Sequence, residues 1–200
     1  MSNWYSDVTQ FNESVKLLDG GEHLTNHITS IVTRLISDAV TVFLAQGTPV
    51  TLTVTETSVT RVQHDEPVLK LVYFQDKIHY VTASSIFTEK DRPVLTFTET
   101  LVDVVATAEH LIIAFDNKTV VLYDASYSVA MQIGVEAQRL ACNRELLVTM
   151  TGSSIDVIDS RTGHVLTSSY PLDLDTAKHG NLSVVAINNM NVIGLGTTKG

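Results

Sequence analysis

Short runs of alternating and β-branched apolar residues, separated by small polar turns, make up most of the chain. The stretch "AVTVFLAQGTPVTLTVTETSVTRV" contains two or three such runs, broken at Gly47 and Thr48. Two further runs in "PVLKLVYFQDKIHYVTASSIFT" flank a turn at Gln75–Asp76. A third stretch, "LVDVVATAEHLIIAFDNKTVVLYD", predicts three strands with turns at Ala108–Glu109 and Asp116–Lys118. The pattern therefore predicts an all-β protein.

Residues 27–40 fit two different periods. A helical spacing of i, i+3, i+4, i+7 and i+8 connects Ile28, Ile31, Val32, Leu35, Ile36 and Ala39. The same stretch, "HITSIVTRLISDAV", is rich in β-branched residues, which helices disfavour and strands accept. Both a strand and a short helix remain open here.

The strand pattern repeats along the chain. "EHLIIAFDNKTVVLYD" aligns without a gap on "RELLVTMTGSSIDVID", so that Leu111 falls on Leu146 at an offset of 35 residues. Ile78 and Val40 occupy the same position in earlier copies, and "MNVIGLGTTKG" repeats the opening of the unit. Each unit consists of a strand, a turn, a second strand, a tight turn, a third strand ending in Asp, and a turn into a fourth strand.

Four-stranded units of about 40 residues resemble the blades of a β-propeller. In "IDVIDSRTGHVL", the third strand ends at Asp159 and Thr162–Gly163 follow, which resembles the end of a WD-repeat blade. "VLYDASYSV" is a weaker copy, with Tyr123 at the position where that family has Trp and without the Thr-Gly pair. The resemblance implies antiparallel four-stranded blades over residues 40–200, preceded by an N-terminal segment, residues 1–39.

Counting the units gives about four and a half blades, which predicts an incomplete N-terminal portion of a propeller whose ring is not closed. We expect its last strand, in "NVIGLG", to have an unpaired edge, so that residues 1–200 self-associate or need a partner. The second strand of each unit has neighbours on both faces and should be buried at Ile112, Phe115, Leu147, Val148 and Ile193. Positive or otherwise restricted φ is expected at Gly152 and Gly163 because both lie in tight turns.

Composition restricts the partners. The 200-residue chain carries a formal net charge of −9, and none of its 13 Lys and Arg residues are adjacent to one another. Nucleic acid is therefore not expected as a direct partner. The polar N-terminus does not look like a secretory signal, and the apolar runs are too short to span a membrane, which predicts a cytoplasmic protein, with the nucleus as an alternative.

The sequence shows no motif for catalysis or for binding a cofactor. His23 and His27 have the spacing of two metal ligands on a helix but lack a partner motif, so we expect no metal site. Cys142 lies between apolar residues and is interpreted as a buried structural residue rather than a reactive thiol. We therefore expect no catalytic residues, no metal and no cofactor, and the binding residues are not identified by the sequence.

Three function classes are compatible with this chain. The first, which we favour, is a protein–protein interaction scaffold that forms part of a larger complex. The second is a phosphoinositide-binding propeller at a membrane surface, because "LTFTETLVDVVATAEHLIIAFDNKTVVLYD" resembles a blade of the autophagy propellers. Lipid binding in that family rests on a Phe-Arg-Arg-Gly motif, which this sequence lacks. The third is an enzyme with its active site in the central channel.

Overall fold

The computed structural model describes residues 28–36, 39–55, 58–88, 92–172 and 175–199. These residues form four four-stranded antiparallel sheets and a two-stranded sheet, each built from strands that are consecutive in the chain. His23 and His27 lie outside the described residues. The predicted all-β architecture of four and a half four-stranded units is therefore confirmed.

The first two sheets follow the chain order of their strands. The first sheet contains β1 (Ser30–Ile36), β2 (Ala39–Ala45), β3 (Val50–Val54) and β4 (Val59–Gln63). The second sheet contains β5 (Lys70–Phe74), β6 (Lys77–Val81), β7 (Ser85–Phe87) and β8 (Pro93–Thr96). The strand alternative for residues 27–40 is thus correct and the helix is wrong, because β1 pairs along its whole length with β2. The first sheet consequently begins at Ser30, within the segment assigned to residues 1–39.

The remaining sheets lie in the second half of the chain. The third contains β9 (Leu101–Ala106), β10 (Leu111–Phe115), β11 (Thr119–Tyr123) and β12 (Val129–Ile133). The fourth contains β13 (Arg139–Cys142), β14 (Leu146–Met150), β15 (Ser154–Asp159) and β16 (Val165–Pro171). A single helical turn, α1 (Thr176–His179), precedes the two-stranded fifth sheet of β17 (Leu182–Ile187) and β18 (Ile193–Thr197).

The described residues fall into two compact units. One unit contains the chain up to Leu71 together with Tyr80–Ala83, and the other contains Val72–His79 together with the chain from Ser84 onward. In the first unit, Val42, Leu44, Leu52 and Val54 form an apolar cluster on the first sheet. In the second unit, the third and fourth sheets share a core. Its fully buried members include Ile112, Leu122, Leu147 and Ile158.

Burial along the second strands follows the repeat with one exception. Ile112, Phe115, Leu147 and Val148 are buried as predicted. Ile193 is only half-buried, so the prediction is wrong at this position. The reason is local: among the described residues β18 pairs with β17 alone, whereas β10 and β14 each lie between two strands.

Two kinds of tight turn connect the strands. Gln75 and Asp76 join β5 to β6 with φ of 49° and 57°, the left-handed pair of a two-residue hairpin loop. Gly163 has the expected positive φ of 68° between β15 and β16. Gly152 is not among the positive-φ glycines, so the positive-φ alternative is wrong at this position. Its turn is closed instead by the Thr151 hydroxyl, which accepts the Ser154 N–H, and by the Thr151 N–H, which donates to the Ser154 carbonyl.

Candidate functional site

The turns between the first and second strands of successive sheets lie side by side in the second unit. A groove of about 460 Å³ is lined by turns from the second, third, fourth and fifth sheets. We call this surface the turn groove. Its lining residues are Tyr73, Phe74, Gln75, Asp76, Ala106, Thr107, Ala108, Asn143, Arg144 and Asn189.

A short polar side chain closes three of these turns. The Thr107 hydroxyl accepts the N–H groups of Glu109 and His110, at 3.2 and 2.9 Å. Asn143 Oδ1 accepts the N–H groups of Glu145 and Leu146, at 2.9 and 2.8 Å. Threonine and asparagine occur here because their side-chain oxygens replace the backbone partners that a tight turn removes.

Asn188 Oδ1 plays the same part in the fifth sheet, where it accepts the N–H groups of Met190 and Val192 at 2.9 and 3.0 Å. The first strand of three consecutive sheets is therefore followed by a residue that fixes the shape of the groove wall.

Amide side chains also connect one turn to the next. Gln75 Nε2 donates to the Ala108 carbonyl at 3.1 Å, which joins the turns of the second and third sheets. Asn143 Nδ2 donates to the Asn188 carbonyl at 2.8 Å and to Asn191 Oδ1 at 2.6 Å, which joins those of the fourth and fifth. These bonds hold neighbouring walls of the groove at a fixed separation.

Deeper bonds connect the first strands of the third and fourth sheets. The buried Asp103 in β9 accepts the Leu140 N–H of β13 at 2.8 Å and the Val104 N–H at 2.9 Å. Cys142, expected to be buried, is half-buried, and its thiol donates to the Ala106 carbonyl at 3.2 Å. The structure thus gives both residues a role in joining two sheets.

Charged groups surround the turn groove. Arg144, at the tip of the β13–β14 turn, also lines two adjoining depressions, one of about 320 Å³ with Glu145 and Asn191, and one of about 70 Å³ with His110 and Arg161. Beside the latter, backbone N–H groups of Thr162 and Arg161 donate to Asp159 and lower the pKa of its carboxyl group. The groove therefore combines exposed amides with ionised side chains.

Away from these charged groups, ring side chains cluster around His79 in the same unit. His79 is fully buried, and its Nε2 lies 2.9 Å from the hydroxyl of Tyr127. His79 Nδ1 lies 3.3 Å from the Lys77 carbonyl, so Nδ1 carries the proton and the Tyr127 hydroxyl donates to Nε2. Burial lowers the pKa of His79. The geometry is that of a satisfied core histidine that joins the second and third sheets.

The strand order of the four four-stranded sheets, each a meander of consecutive strands, is that of β-propeller blades. The chain is similar to BBS1N in its crystal structure in complex with ARL6DN, with a TM-score of 0.66 and 10% identity over 89% of this chain and 62% of that one. It is also similar to the N-terminal domain of Nup159, with a TM-score of 0.61 and 12% identity over 86% and 54% of the two chains.

A third similar structure is that of S. cerevisiae dbp5 bound to nup159, gle1, IP6 and ADP, with a TM-score of 0.59 and 14% identity over 82% of this chain and 50% of that one. The chain thus spans between half and two thirds of the length of these structures. No family model matches the sequence, and no curated protein matches it. At such identities the likeness concerns the fold, which is that of an incomplete β-propeller.

Sequence reasoning did not identify the turn groove. Its residues come from four turns far apart in the chain, and none belongs to a catalytic or binding motif. One signal was present, because Thr107, Asn143 and Asn188 each precede the second strand of a repeat unit by a few residues. Aligning the units on Leu111 and Leu146 places Thr107 one position away from Asn143.

Proposed function

We propose that this chain is a protein–protein interaction scaffold built on a WD-repeat-like propeller, and that the turn groove is its contact surface. The observation that carries the proposal is the convergence of exposed turn residues from four successive sheets on one groove. Binding residues are commonly presented on loops that a rigid scaffold positions. The Asp159 and Thr162–Gly163 pattern after β15, the third strand of the fourth sheet, supports the WD-repeat assignment.

The chemistry of the surface suits a protein partner. Tyr73 lines the groove and Met190, 80% exposed, lies at the tip of the β17–β18 turn next to the lining residue Asn189. Aromatic residues and Met are enriched at the centres of protein interfaces, and amides supply the polar rim. The side-chain bonds between turns keep the walls in place before binding, which reduces the entropy lost on association.

Two of the similar structures support the same class of function. BBS1N was solved in complex with ARL6DN, and nup159 was solved with dbp5 and gle1. By analogy, we propose that this chain is a subunit of a larger complex in the cytoplasm or the nucleus, without direct contact to nucleic acid. Among the described residues, no helix is both long and apolar enough to cross a membrane.

The expectation that the chain is not an enzyme stays a prediction. Within the described ranges, no group of three His, Cys, Asp or Glu side chains is placed to hold a metal ion. The groove side chains are held in turn-closing and turn-joining bonds, which supports a binding role for them over a catalytic one.

A photo-crosslinking amino acid at Asn189 tests the proposal, with the same group at Gln132, an exposed residue of β12, as the control. We expect the label at Asn189, and not the label at Gln132, to capture one protein reproducibly. That protein is then purified and its affinity for the 200-residue chain is measured by calorimetry.

The variant Asn189→Trp fills the groove with a bulky side chain and should abolish binding of the purified partner, while Gln132→Trp should leave the affinity unchanged. Binding that survives Asn189→Trp in a correctly folded chain would place the contact surface elsewhere and refute the proposal.

A further inference from the structure

Arg144 is shared by all the depressions of the candidate surface. Arg144 lines the turn groove and both adjoining depressions, and its side chain is exposed. Within the part of the chain that the structure describes, this guanidinium group has no hydrogen bond and no ion pair. A cation that faces three connected depressions without an internal partner is available to a ligand.

A second guanidinium group lies beside the first. Arg161, in the β15–β16 turn, lines the smallest depression together with Arg144. Its charge contributes the smallest of several effects that lower the pKa of the Asp159 carboxyl group, but the two side chains do not form an ion pair within 4 Å. Two arginines from different turns of one sheet therefore line the same small depression.

Most carboxylates around this pair accept hydrogen bonds from other groups of the chain. Asp76 accepts the Tyr73 hydroxyl at 2.9 Å, and Glu145 accepts Asn191 Nδ2 at 3.3 Å. Asp159 accepts two backbone N–H groups at 2.9 Å. Glu109 is the remaining carboxylate that lines the smallest depression, so this depression carries two guanidinium groups against one carboxylate.

We infer that the turn groove, together with its smallest adjoining depression, selects an acidic peptide segment of its partner, whose Asp or Glu carboxylates pair with the guanidinium groups of Arg144 and Arg161. This inference rests on the proposed function and specifies the chemistry of the partner. Arginine suits the role because its planar donor groups match a carboxylate in two parallel hydrogen bonds.

The charge of the whole chain favours a peptide over a larger anion. With a net charge of −9, the chain repels an extended negative surface such as an anionic membrane or a nucleic acid. Arg144 and Asn189 line the same groove, so a single extended peptide that pairs with Arg144 can also contact the amide of Asn189. An acidic peptide is therefore the anionic ligand that is compatible both with the two arginines and with the net negative charge of the whole chain.

Selection of dodecapeptides from a random phage-displayed library on the 200-residue chain tests this inference. We expect the selected peptides to be enriched in Asp and Glu, and we expect the enrichment to disappear on the double variant Arg144→Gln, Arg161→Gln. Arg139→Gln is the matched control, because Arg139 is an exposed arginine at the opposite end of β13. In fluorescence anisotropy, Arg144→Gln should weaken the best peptide about tenfold or more, as expected for loss of a charge-assisted hydrogen bond.

The arms of the experiment separate the two proposals. If the selected peptides lack an acidic bias but no longer bind the Asn189→Trp variant, the inference of an acidic peptide is wrong and the proposed function stands. Peptides that bind equally to Asn189→Trp would overturn both. Phosphatidylcholine vesicles with a few per cent of a phosphoinositide provide a further test. If the chain binds them and the double arginine variant does not, the ligand of the arginines is a lipid headgroup and the inference of an acidic peptide is wrong.

Discussion

Replacement of Gly163 by Ala tests the turn between β15 and β16 of the fourth sheet. Gly163 has a φ of 68°, and its N–H donates to the Asp159 carbonyl at 2.9 Å, so the left-handed conformation is part of the turn. A residue with a Cβ atom adopts this conformation at a cost of roughly 1–2 kcal/mol. The added Cβ would also overlap Met131 Sδ, so the flexible Met131 side chain would have to move.

Gly152 provides the matched control for this substitution. Gly152 lacks a positive φ, and a Cβ atom there would meet nothing closer than Gln138 Oε1 at 3.9 Å. Both Gly→Ala changes reduce the conformational entropy of the unfolded chain by a similar amount, and this effect cancels when the two variants are compared. The difference in unfolding free energy should therefore be about 1–2 kcal/mol, with Gly163→Ala the less stable.

Thermal denaturation followed by circular dichroism measures this difference. For a chain of this length it corresponds to a Tm about 2–8 °C lower for Gly163→Ala than for Gly152→Ala. Gly163→Asn should fall between them, because asparagine tolerates the left-handed conformation. Equal Tm values for the two alanine variants would show that the turn does not need its left-handed residue.

Three further predictions concern the core, the buried histidine and the open strand. Leu147→Ala should lower the unfolding free energy by roughly 2–5 kcal/mol in urea titrations. Leu166→Ala, at a 54% exposed position in the same sheet, should change the unfolding free energy little. Similar losses in the two variants would contradict the assigned core. Burial lowers the pKa of His79, so the unfolded chain binds more protons than the folded chain, and Tm should fall as the pH drops below 6.5. The variant His79→Phe should show a weaker dependence of Tm on pH. The same pH profile in the variant and the parent would show that His79 does not cause this dependence. Because β18 has β17 as its one partner among the described residues, light scattering should show self-association, and a monodisperse species of 21.9 kDa would contradict this.

The strands and most turns could be predicted because their signals are local. "LIIAF" and "LLVTM" are apolar without alternation, as expected for strands covered on both faces, and the structure buries Ile112 and Leu147 completely. The Thr-Gly pair at Gly163 likewise marked a left-handed turn. Gly152 misled the same reasoning because a hydroxyl group, that of Thr151, closes its turn without left-handed backbone.

The candidate site could not be predicted because it depends on how successive sheets align. Gln75 and Ala108 are 33 positions apart in the chain, yet they share a hydrogen bond across the groove wall. Nothing in the residues around Arg144 distinguishes it from Arg139, and only the position of its turn between two others sets it apart. Long-range placement of this kind leaves no periodic pattern in a single sequence.

The bonds between neighbouring sheets have a consequence for how a chain of similar repeats folds. Tandem units that resemble one another risk pairing with the wrong neighbour and becoming kinetically trapped. Here the junction of the third and fourth sheets differs from its neighbours: it pairs the Asp103 carboxylate with the Leu140 N–H, whereas side-chain amides donate to carbonyls from Gln75 to Ala108 and from Asn143 to Asn188. A sheet docked one place out of order would cost the buried Asp103 carboxylate its bond to the Leu140 N–H, so this bond favours the observed order of the third and fourth sheets.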